Sequence, residues 1–247
     1  MTIYDNAIRD ELKEWKREMQ RKPSFTNRLA KKLQMRINRA IPEKVHEAIT
    51  TAIKQMTRVV CFGAEFTAPT PMRDGTLEER EHKVNERIKF YAKTAAAEGA
   101  ITGAGGILLG LADFPLWLTL KMKMLFEIAA LYGFDVSHYK ERIYLLYIFE
   151  ITFSSQVHRN KIFAIVDNWD DYQAQMPDDI NQFDWRSFQQ EYRDYIDIAK
   201  LLQLVPGIGA AVGALVNHTL TNKLGKAAMN AYRLRHFKLP SHLPSSR

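Results

Sequence analysis

Residues 99–118 read GAITGAGGILLGLADFPLWL, and residues 201–216 read LLQLVPGIGAAVGALV. The first stretch holds one charge, Asp113, and the second holds none. Both place glycines four apart: Gly99/Gly103, Gly106/Gly110 and Gly209/Gly213. On a helix, that spacing strips one face of side chains and lets another backbone approach closely. A glycine inside a helix costs about 1 kcal/mol against alanine. Several of them therefore predict a close contact that offsets the cost. The two stretches are expected to pack together at the centre of an all-α protein.

Membrane spans are the competing reading. A span needs about 20 predominantly apolar residues. The first stretch reaches that length but holds Asp113 followed by Pro115, and an aspartate near mid-membrane costs about 2.5–3.5 kcal/mol. The second is 16 residues long and contains Gln203 and Pro206. Mean hydropathy over the chain is −0.30. Buried core helices are the expectation, with an interfacial or re-entrant position as the alternative.

Helical spacing extends outward in both directions. Upstream, Ile8, Leu12, Trp15 and Met19 form one stripe, and Leu29, Leu33 and Ile37 another. Pro23-Ser24 separates them, with Ser24 as a cap. Pro42 opens a third helix with Val45, Ile49, Ile53, Met56 and Val60 inside. Residues 63–75 form the clearest loop, with Pro69, Pro71 and Asp74-Gly75. Thr76 and Glu79 fit a capping box for a helix through Val84, Ile88, Tyr91 and Ala95. Downstream, Leu118, Met122, Leu125, Phe126 and Ala129 run to a stop at Gly133. Ser137 is expected to cap a helix holding Ile143, Leu146, Tyr147 and Phe149. A shorter helix follows through Ile162, Ala164 and Val166. Residues 167–183 read as an acidic loop. Asp184 caps a helix holding Tyr192, Tyr195, Ile196, Ala199 and Leu202. A last helix spans residues 207–236.

No stretch alternates as a strand does. The expectation is one compact unit of eight to ten helices: residues 1–62 as basic amphipathic N-terminal helices, 76–236 as the core, and 237–247 as a loose tail.

The chain has 247 residues and a formal net charge of +7. Residues 1–60 account for all of it, with fourteen Lys/Arg against seven Asp/Glu. Between Met19 and Pro42 lie Arg21, Lys22, Arg28, Lys31, Lys32, Arg36 and Arg39, with no acid among them. Residues 167–197, by contrast, hold nine acids against Arg186 and Arg193. The basic stretch has three readings. It is a solvated face, a contact for anionic lipid at about 1 kcal/mol per cation, or a partner for the acidic segment. No nucleic-acid motif accompanies it, and acidic flanks would repel phosphate, so no nucleic-acid partner is expected. The N-terminus has no apolar core of a secretory signal. Cys61 stands alone, so it forms no internal disulfide, and it reads as a small buried hydrophobe. Both features point to a reducing, cytoplasmic setting.

Glu98-Gly99 through Gly110, then Leu-Ala-Asp113-Phe-Pro115, then Phe126-Glu127 through Tyr132-Gly133-Phe-Asp135, resembles the EcsC family. So does Val205-Pro-Gly-Ile-Gly209 through Gly213, continuing over Asn217, Asn222-Lys223-Leu-Gly225, Ala228 and Arg233, and so does Ile41 to Ala48. The resemblance covers most of residues 20–236. It implies a bacterial protein whose operon also encodes an ABC-type transporter, so transporter subunits become candidate partners. It supplies no catalytic residues.

Motifs for chemistry are sparse. Gly103 to Gly110 lacks the terminal lysine and serine of a phosphate loop. His46-Glu47 lacks a second histidine at the zincin spacing. There is no G-x-S-x-G elbow, and Ser154, Ser155 and His158 read as neighbours on a solvated face. Glu98, Asp113, Glu127 and His218 could meet if the glycine-rich segments pack, but they lack the Glu-x-x-His repeat of a di-iron bundle. No metal and no cofactor are expected. Asp113 reads either as the cap of the helix after Pro115 or as an anchor for a cationic ligand beside Lys121. Asn217 and His218 read either as a buried hydrogen-bonded pair or as part of a ligand site. The expected function is that of a non-catalytic accessory protein, cytoplasmic or peripheral at the inner membrane face. The alternative is a lipid- or small-molecule-binding module, or an enzyme, with Glu98, Asp113, Lys121, Glu127, Asn217 and His218 at its site.

Overall fold

The computed structural model describes residues 2–21, 43–62, 68–104, 114–195 and 210–238. The described residues form nine α-helices and no strand: α1 Ile3–Gln20, α2 Glu43–Phe62, α3 Leu77–Ala104, α4 Phe114–Leu131, α5 Tyr139–Phe153, α6 Gln156–Asp167, α7 Trp169–Ala174, α8 Trp185–Tyr195 and α9 Ala210–Lys238. The protein is all-α, as the periodicity predicts.

Local signals set the helix ends. Thr2 and Asp5 make a reciprocal capping box at α1, and Thr76 and Glu79 make another at α3, at 3.2 and 2.9 Å. Gly133, at φ +92°, ends α4. Its N–H reaches the Ala130 carbonyl and the Phe134 N–H reaches that of Ala129, a Schellman stop that needs the left-handed residue. Asp184 accepts the Ser187 N–H at 3.0 Å and starts α8. Two expectations change. Ser137 does not cap α5. Its N–H donates to Asp135 Oδ1, and the helix begins after His138. Residues 167–183 are not all loop: Trp169 is buried and anchors α7, and a 3-10 turn follows at Ile180–Gln182.

The centre of the bundle is the antiparallel pair α3–α9. Ile88 faces Gly225 and Glu81 faces Arg233, which fixes the register. A Cβ on Gly225 would lie 2.6 Å from Ile88 Cγ1, so the two helices approach closely at a glycine outside the two runs whose spacing predicted such a contact. Helix α4 runs antiparallel to α3, with Glu127 opposite Arg87 and Tyr132 opposite Glu81. Helix α5 is buried nearly all round, from Ile143 to Phe153, as its apolar run, interrupted at Glu150 and Thr152, requires. Helices α1 and α2 add Ile8, Leu12, Met19, Ile53, Met56 and Val60 to the same core. The side chain of Cys61 and residues 237–247 beyond Lys238 lie outside the description. So do residues 105–113 and 201–209, the greater part of the two glycine-rich runs. Their described ends, 99–104 and 210–216, close α3 and open α9 at one end of the bundle. Among the described residues, no helix is long and apolar enough to cross a membrane.

Candidate functional site

The helix register divides the predicted site residues into three places. Glu127 sits mid-bundle in a closed arrangement. It pairs with Arg87 and accepts the Tyr91 hydroxyl at 2.7 Å. Burial and this carboxylate together push the Tyr91 phenol up to about 12. Glu127 therefore joins α3 to α4 and does not reach the other predicted residues.

Glu98, Lys121 and Asn217 share the glycine-rich end. Lys121 is 1% exposed and its Nζ has no hydrogen-bond partner. It lies 4.7 Å from the centre of the Trp117 ring. Burial lowers its pKa from 10.5 to about 7, opposed by the charge of Glu98. Trp117 stacks on Phe114 and meets Phe149 and Phe153 edge-on. Its Nε1 is also buried without a partner. Asn217 is buried, with Oδ1 unpaired. Register places it level with Ala96 and Ala97, just short of Glu98, since Gly225 faces Ile88 and Arg233 faces Glu81. Asp113 precedes α4 and lies outside the described residues. So do Lys22, Arg28, Lys31, Lys32, Arg36 and Arg39. Arg21 is described, just past α1, and exposed.

His218 does not pair with Asn217. It lies on the exposed side of α9, where Asn222 donates to its carbonyl at 3.0 Å and stands 3.2 Å from its Nδ1. It lines a cleft of about 710 Å³ bounded by α1, α5, α6 and α9. Arg159, Lys223 and Lys226 line the same cleft, with Glu18 as its carboxylate. Arg159 Nε is buried without a hydrogen-bond partner. Trp15, Met19 and Ile151 supply an apolar wall. Composition alone could not reveal this site, because its cations come from α6 and α9 and its carboxylate from α1.

Two buried ion pairs also escape a local reading. Arg233 grips Glu81 through Nε at 2.7 Å and Nη2 at 2.6 Å, while Tyr4 and Tyr132 donate to the same carboxylate. Arg235 donates to both oxygens of Glu141, and the Tyr232 hydroxyl adds a third bond at 2.7 Å. Each carboxylate is saturated, so these are bolts between helices with no vacancy for a ligand. Glu150 differs. It is 2% exposed, with Oε1 unpaired, and burial followed by repulsion from Glu191 raises its pKa. Ser154 is buried, not solvated, and Ser155 Oγ lies 3.2 Å from His158 Nδ1. Among the described residues, no group of His, Cys, Asp and Glu is placed to hold a metal ion.

Comparison with known proteins gives consistent findings. The family model described as "EcsC protein family" matches residues 6–237. The chain is similar to "Protein EcsC" of Bacillus subtilis (strain 168), with 43% identity over 238 residues, covering 96% of this chain and 98% of the relative. It is also similar to "Uncharacterized protein YdbA" of the same organism, with 30% identity over 168 residues, 68% of this chain and 59% of the relative. No solved structure matches.

Proposed function

The chain belongs to the EcsC protein family, and from that premise we propose that it is a non-catalytic accessory protein working at the inner face of the membrane, beside an ABC-type transporter. One observation carries the membrane part. Leu116 and Leu215 are 54% and 67% exposed. Both stand at the end of the bundle where α3 stops and α4 and α9 start. The uncharged runs 99–112 and 201–216 include, in sequence, the last turn of α3 and the first turns of α9. A large exposed leucine is ordinary when single. Two of them, on neighbouring helix starts flanked by glycine-rich apolar sequence, suit an interfacial contact. The cations Arg21, Lys22, Arg28, Lys31, Lys32, Arg36 and Arg39 add attraction to an anionic surface, about 1 kcal/mol each when close to it. The transporter neighbourhood rests on the family resemblance alone.

Flotation with anionic vesicles tests the reading. The protein should float at low ionic strength and less at high, and Leu116→Asp with Leu215→Asp should reduce flotation at both. No flotation at low salt would remove the membrane part.

Lys121 favours a second reading, a binding module for an anionic amphiphile. A buried ammonium without a hydrogen bond, against a Trp117 ring that itself meets Phe153, suits a carboxylate head on an apolar tail. Laurate should raise the melting temperature of the native protein but not of Lys121→Met. An equal shift in both would reject it.

A further inference from the structure

We propose that the cleft between α1, α6 and α9 is a binding site for a phosphomonoester, with Arg159, Lys223 and Lys226 holding the dianionic head and Trp15 packing against the organic part. The site lies on the flank of the bundle, away from the apolar end, and does not depend on the membrane reading.

Charge makes the first argument. Arg159, Lys223, Lys226 and His218 line the cleft, and Glu18 is the carboxylate that answers them. Lys223 and Arg159 are close enough to repel. Burial lowers the Lys223 ammonium first, Arg159 lowers it further, and Glu18 opposes both. Like charges gathered in a concavity cost free energy unless something neutralises them. A dianion does so better than a monocarboxylate.

Hydrogen bonding makes the second. Arg159 Nε is buried and has no partner. A buried donor without an acceptor costs about 1–3 kcal/mol, and a guanidinium beside two ammonium groups is the donor set that phosphate oxygens fill. Asn230 lines the rest of the pocket and its amide can take a remaining oxygen, while Thr219 and Asn222 beside it already donate to the Leu215 and His218 carbonyls. Shape makes the third. A cleft of about 710 Å³ exceeds what an inorganic ion needs and falls within the ordinary range for a small organic ligand. Its apolar side is Trp15, Met19 and Ile151.

The phosphomonoester could be soluble or a lipid headgroup, and two arms separate these sources. In the first, calorimetry follows phenyl phosphate binding to the full chain, with sulfate at matched ionic strength as the control. In the second, vesicles containing phosphatidate are compared with vesicles containing phosphatidylglycerol, a phosphodiester. Each arm uses the native protein, Lys223→Gln/Lys226→Gln, Arg159→Gln, and Lys89→Gln, an exposed cation outside the cleft, as the control; the vesicle arm adds Leu116→Asp. The expected result is saturable binding in one or both arms. It should weaken by at least about tenfold in the double lysine variant and stay unchanged in Lys89→Gln. Cleft-dependent binding of phenyl phosphate identifies a soluble ligand. Cleft-dependent preference for phosphatidate alone identifies the lipid. If Arg159→Gln lowers the melting temperature, the surface lysine pair decides the question. Binding equalled by sulfate, or equally strong in the double lysine variant, overturns the proposal. Flotation lost in Leu116→Asp but kept in the lysine pair would uphold the membrane reading while rejecting this one.

Discussion

Arg233 and Glu81 lie in a part of the bundle where water cannot help either partner. Arg233 is 6% exposed and Glu81 0%. Removing one member of such a pair strands the other, which costs about 3–5 kcal/mol. Arg233→Met should therefore lower the melting temperature by many degrees. Glu81→Leu combined with it should recover part of the loss, the rest being the Tyr4 and Tyr132 hydroxyls left without their acceptor. Additive losses in the double variant would contradict a coupled pair. Lys121 makes a different residue-scale prediction. Its amine holds a proton up to about pH 7 in the folded chain and up to about 10.5 in the unfolded one. Between those values the unfolded state holds more protons, so stability rises with pH, with a slope approaching about 1.4 kcal/mol per unit. Below the window the full cost of burying the charge is present. Lys121→Met should be more stable than the native chain at pH 6 and lose the rise from 7 to 10.5 in denaturant titrations. An unchanged slope would mean that the ammonium is solvated. Glu150 acts in the opposite sense. Its raised pKa makes stability fall as pH rises above 4.5, so Glu150→Gln should stabilise the protein at neutral pH.

Helix α9 meets α3 across Gly225, and the contact can be tested there. The methyl of alanine gains about 1 kcal/mol in helix propensity, but at 2.6 Å from Ile88 Cγ1 it must displace that side chain. Overpacking of this kind costs about 1–3 kcal/mol. Gly225→Ala should be destabilising in the native background and stabilising on Ile88→Ala, a reversal of sign that urea denaturation would read. The elements themselves were largely legible in sequence, because helix signals are local. The α1 stripe, the Thr76/Glu79 box, the stop at Gly133 and the Asp184 cap each need only neighbours three or four residues away. Helix α7 was not legible. It is six residues long, its acids and glutamines resemble a loop, and its burial rests on Trp169, which packs on Tyr144 and Tyr147 from another helix. The site was half legible for a related reason. Lys121 and Asn217 are polar groups in apolar runs, which sequence shows. The cleft joins Glu18, Arg159 and Lys223, which only the tertiary register brings together.

At the scale of the whole molecule, charge and core overlap in the N-terminal region, and this decides how its membrane role can be tested. Removing the first forty residues would delete the basic stretch, but it would also delete Ile8, Leu12 and Met19 from the core. The ion pairs Lys16–Asp167, at 2.9 Å, and Glu11–Arg233, at 3.0 Å, would go too. Such a truncation should lose stability, and lost vesicle binding would then say nothing about charge. Reversing charges within the basic stretch separates the two effects. Lys31→Glu, Lys32→Glu and Arg36→Glu together lie beyond α1 and change none of the core residues named above. At about 1 kcal/mol for each cation near an anionic surface, losing three of them should weaken partitioning at low salt by roughly a hundredfold or more. The melting temperature should stay within a few degrees of native. The gap between variant and native should close as salt rises, because screening removes the term that the reversal inverts. Equal flotation of the two proteins at low salt would leave the exposed leucines as the sole support for the membrane reading. A large fall in melting temperature would instead favour docking of this stretch on the acidic surface of residues 167–197.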